Sequence, residues 1–74
     1  MNEGERRNVR FQLNQMDHNS FFGKLLAAIY KSDNENRGKL AMGFPDECNA
    51  VTNWQRTEGY STRIVKEYNK EMGR

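Results

Sequence analysis

The stretch Phe21 to Tyr30, FFGKLLAAIY, restricts what this chain can become more than any other segment. Phe21, Leu25 and Ile29 fall on one row, and Phe22, Leu26 and Tyr30 on the row beside it. An i, i+4, i+8 spacing predicts a helix with a broad apolar face, and a face of that width needs cover from the rest of the chain. No other segment offers a comparable one.

Covering it is demanding, because the chain has 74 residues, of which 35% are hydrophobic and 30% charged. A single domain of this size buries only about 60–65% of the surface its unfolded chain exposes, so association with a second copy is an economical way to complete the burial. The net charge of +2, from 12 basic and 10 acidic residues, is too balanced to specify nucleic acid or membrane. One cysteine, Cys48, cannot form an internal disulfide, and a reducing cytoplasm is the simplest compartment. The opening MNEGERRNVR lacks the apolar core of a signal peptide, and no apolar run approaches membrane length.

Taken in order, residues 1–8 are charged and polar and are expected to be mobile unless a partner holds them. In the following NVRFQLNQM, Val9, Phe11 and Leu13 alternate with polar residues, which is the strand signal. No second strand candidate appears downstream. An extended arm, a strand paired with another copy and a short helix all remain open, and the alternation favours the first two. Residues 1–19 are thus expected to be a flexible or extended arm and residues 20–74 a helical domain. Asp17, Asn19 and Ser20 can cap the apolar helix, and Gly23 within it can mark close approach of another helix. Ser32-Asp33-Asn34-Glu35 has the S-x-x-E form of a capping box opening a second helix, which Gly43 would end in a left-handed conformation. Pro45, Asp46 and Glu47 suit the first turn of a third helix with Phe44, Cys48, Val51 and Trp54 as its stripe. Thr57-Glu58-Gly59 breaks it, and a last helix carries Tyr60, Ile64, Tyr68 and Met72 before Gly73. The expected fold is all-α, a small bundle of about four short helices with an extended N-terminal arm.

Chemistry-bearing residues are few. Cys48 falls in an apolar stripe, which favours a buried structural thiol over a nucleophile. His18 is the sole histidine, and one histidine beside Asp17 does not make a metal site. Asp33, Glu35, Asp46 and Glu47 each fit a helix N-terminus. The glycines form no phosphate-binding loop. No catalytic residue, metal, cofactor or small-molecule substrate is therefore expected, and the chain reads as non-enzymatic. Trp54 and Tyr60 flank the last turn and are the candidate anchors for a protein partner, with core packing as their simpler role. Arg63, Lys66 and Lys70 on the last helix, with Arg6, Arg7 and Arg10, are the candidates for a nucleic-acid surface, although a solvated helix face, with Glu67 and Glu71 interrupting the positive field, is the simpler account of them.

The run AIYKSDNENRGKL, then GFPDE, Trp54 and Glu58-Gly59-Tyr60 resembles a family of small uncharacterised proteins of bacteria, phages and other mobile elements. The resemblance covers Phe21 to Tyr68 and omits the arm. It implies a compact helical accessory protein and supplies no catalytic residue. The reading that follows is an interaction protein that self-associates or binds a protein partner, with nucleic-acid binding as the alternative.

Overall fold

A computed structural model describes residues 1–74 and contains five helices and no strand. These are α1 (Glu3–Gln12), α2 (Phe21–Lys31), α3 (Asn34–Gly43), α4 (Pro45–Arg56) and α5 (Tyr60–Glu71). None is long and apolar enough to cross a membrane.

The all-α expectation holds, but the expected N-terminal arm is a helix. Asn2 and Glu5 close a reciprocal capping box: the Glu5 amide donates to Asn2 Oδ1 (2.8 Å) and the Asn2 amide to Glu5 Oε1 (2.9 Å). Helix α1 ends where Asn14 turns left-handed at φ 59°. Of the alternating set, Val9 is fully buried, Phe11 half-buried and Leu13 38% exposed, the gradation of a helix turning away from the core. The buried face of α1 is Gly4, Asn8 and Val9, two of them small or polar, so hydrophobic periodicity alone did not reveal it.

Helix α4 is the hub, since each of the other four packs on it, and α1 does so most extensively. The apolar spacing points instead to α2 as the centre, but α2 packs on α4 less extensively than α1 or α3 does. Gly4 explains the α1–α4 approach: a Cβ there would lie 2.4 Å from the Asp46 carbonyl carbon and 2.6 Å from the Glu47 nitrogen. Gly23 permits a similar approach, although to the preceding loop at Asp17 and His18 and not to a helix.

Two apolar clusters form the core. Leu25, Leu26 and Ile29 of α2 meet Cys48 and Val51 of α4, with Phe11, Phe22, Tyr30, Leu40 and Phe44 around them. Val9 of α1 meets Tyr60, Ile64 and Tyr68 of α5, with Trp54 and Val65 alongside. Two expected members lie outside: Phe21 is 64% exposed and Met72 46%. Phe21 occupies the first position of α2, where its ring meets Phe22 and Phe44 at the edge of the bundle.

Both boundaries of α3 differ from expectation. Asp33 rather than Ser32 caps α3, accepting from the Asn36 amide at 2.7 Å. Ser32 instead donates to the Ile29 carbonyl (2.6 Å). Gly43 stays within α3 and has no positive φ; the left-handed glycines are Gly59 and Gly73, both at φ 78°.

Candidate interaction surfaces

Polar side chains fasten the helices before any surface is formed. Arg37, on the inward row of α3 with Leu40, Ala41 and Phe44, is 8% exposed. Its Nη2 donates to the Ile29 carbonyl (2.7 Å), Nη1 to Gln55 Oε1 (2.8 Å) and Thr52 Oγ1 (3.3 Å), and Nε to Ser32 Oγ (3.2 Å). It forms no carboxylate ion pair; its charge meets the negative end of α2. Thus α3, whose only buried residue is this arginine, is held by hydrogen bonds more than by apolar area.

Helix α1 is fastened similarly. Tyr30 donates to Asn8 Oδ1 (3.0 Å), and Gln12 Nε2 donates to the Tyr30 hydroxyl. Arg6 forks onto Glu71 with Nε and Nη2 at 2.8 and 2.7 Å, closing α1 against the end of α5. That hydrogen bonding holds the Glu71 carboxyl below its ordinary pKa. The Arg7 guanidinium lies 3.8 Å over the Phe22 ring, and its Nη1 is 3.8 Å from Glu47 Oε2. Glu47 is 5% exposed and this oxygen has no hydrogen-bond donor; it rests in the first turn of α4, where the dipole favours an anion.

The expected partner anchors separate. Tyr60 is only 4% exposed and lies in the second core cluster, so it is not a surface anchor. Its hydroxyl donates to Glu5 Oε2 at 3.4 Å, and burial, then the Glu5 charge, push its pKa up to about 12. Trp54 is half-buried and lines a shallow groove of about 370 Å³ with Ser61, Thr62, Val65 and Lys66. Of the expected cations, Lys66 borders this groove and Lys70 stands one turn further along, both exposed. Arg63 is drawn to Glu67 at 3.7 Å and lies 5.5 Å over the Tyr60 ring.

Cys48 is 3% exposed; burial pushes its thiol pKa up, away from the thiolate a nucleophile requires. His18 stacks on Phe11 with centroids 4.5 Å apart. No group of three His, Cys, Asp or Glu side chains gathers as metal ligands would. A second shallow groove, about 470 Å³, opens between α2 and α3 over Ala28 and Leu40, with Lys31 and Lys39 on its rim.

The surface that sequence reasoning missed is aromatic. The exposed Phe21 ring packs edge-on to Phe22 (5.1 Å) and tilted to Phe44 (5.8 Å), and Phe22 meets Phe44 edge-on at 6.4 Å. Met42, two residues before Phe44, is 88% exposed. The available signal was position: Phe21 directly follows the Ser20 cap, where one helix face has no turn below it. No family model, curated relative or solved structure matches the chain.

Proposed function

We propose that this protein is a non-enzymatic accessory module that associates with a second copy of itself through the Phe21–Phe22–Phe44 face. The observation that carries the reading is Phe21, a phenylalanine 64% exposed on top of two aromatic rings. Exposed aromatic anchors backed by packed rings are what central interface residues look like. A second copy is favoured over an unrelated partner because both charge signs border the face. Lys24 stands one turn from Phe21, and Asp46 two residues after Phe44, both exposed. A two-fold pairing of this face would bring both charge signs from each copy to one seam.

Sedimentation across a concentration series tests it. The wild-type chain is expected to pass from monomer to dimer as concentration rises, and Phe21→Ser to remain monomeric with unchanged helix content. A wild-type chain that stays monomeric at high micromolar concentration refutes the proposal.

A further inference from the structure

We infer that the groove between α4 and α5 binds single-stranded nucleic acid, with a base stacked against Trp54 and the backbone tracked by Lys66 and Lys70. This goes beyond the self-association reading and rests on a different surface. Trp54 comes from α4, while Ser61, Thr62, Val65 and Lys66 come from α5, so the site exists only once the two helices pack. It joins an aromatic wall, two hydroxyls and an ammonium in one shallow depression. Lys70 extends the positive edge by one helical turn, about 6 Å along the axis. Neither lysine has a carboxylate partner, whereas the nearby Glu67 is occupied by Arg63. Two free cations beside an aromatic ring thus remain open to an external anion.

The chemistry selects the ligand. Single-strand binders combine a basic track with aromatic side chains on which bases stack, largely irrespective of sequence. A duplex keeps its bases stacked together and could offer this ring no base face. An acidic peptide would answer the two lysines but leave the indole without a planar partner.

Trp54 is the only tryptophan, so its fluorescence reports this groove directly. The full chain is titrated with oligothymidylate at low and moderate salt. Saturable quenching is expected, and for two or three phosphate contacts the affinity should fall roughly ten- to forty-fold between about 50 and about 300 mM salt. Lys66→Gln with Lys70→Gln should weaken binding about tenfold and flatten the salt dependence, while Lys39→Gln, exposed on α3 away from both surfaces, leaves both unchanged. Both altered lysines are exposed, so these variants are expected to fold. The Phe21→Ser chain should give the wild-type titration, which separates this site from the self-association face. Absent quenching, quenching indifferent to salt and to the lysine pair, or equal quenching by polyglutamate would overturn the inference.

Discussion

Helices α1 and α2 reach the core by opposite means. The apolar α2 inserts Leu25, Leu26 and Ile29, yet leaves Phe21 largely in water. The polar α1 buries a glycine, an asparagine and one valine, yet makes the most extensive helix contact in the molecule. Apolar content determined how much area α2 could bury. Shape determined how closely α1 could approach, because Gly4 lets the two backbones meet. Polar groups then complete the α1 seam through Asn8, Gln12 and Tyr30 on one side and Arg6 and Glu71 on the other.

The largest expected effect lies on the apolar side. Leu26 is fully buried, and Leu26→Ala should cost about 2–5 kcal/mol in denaturant unfolding, depending on how far the cavity collapses. Phe21→Ala, from the same helix, should cost about 1 kcal/mol or less because most of its ring is already hydrated. Equal losses would show that the exposed phenylalanine is part of the core after all.

Next comes the shape-determined side. Gly4→Ala sets a methyl group against the α4 backbone, so the helices must separate, and a cost of about 1–3 kcal/mol is expected. An isolated helix would instead gain from this change, since alanine is the better helix former. The sign of the stability change therefore distinguishes a docked α1 from a free one.

A further effect is confined to alkaline pH. Tyr60 has its pKa raised from 10.0 to about 12, so burial favours its neutral form. The stabilisation is fully present below the unfolded value and is lost as pH rises through the folded one. Stability followed from pH 9 to 12 should decline above about pH 10 in the wild-type chain and less so in Tyr60→Phe. Identical profiles would mean that Tyr60 ionises as freely folded as unfolded.

Those contrasts also explain what was readable in the chain. Helical spacing announced α2 and the buried Tyr60, Ile64 and Tyr68 of α5, because their packing faces are large and apolar. It misassigned α1, where Val9, Phe11 and Leu13 imitate strand alternation while the decisive residue, Gly4, has no side chain to count. Arg37 stands at an inward helical position, but residue type gives no sign of its burial because arginine normally faces water. At the surfaces, Trp54, Lys66 and Lys70 were identifiable by type. Their placement along one groove, and the burial of Tyr60, depended on the α4–α5 packing. The aromatic face depended on bringing Phe44 across to α2, a contact between segments whose local patterns carry no sign of it.

The most direct test of α1 as an integral part of the fold is native-state hydrogen exchange, residue by residue. If α1 and α2 share one cooperative core, the Val9 and Ile29 amides will open with the same free energy, that of global unfolding. Rapid, nearly unprotected exchange at Val9 while Ile29 stays protected would return residues 1–13 to a loose arm and contradict the account.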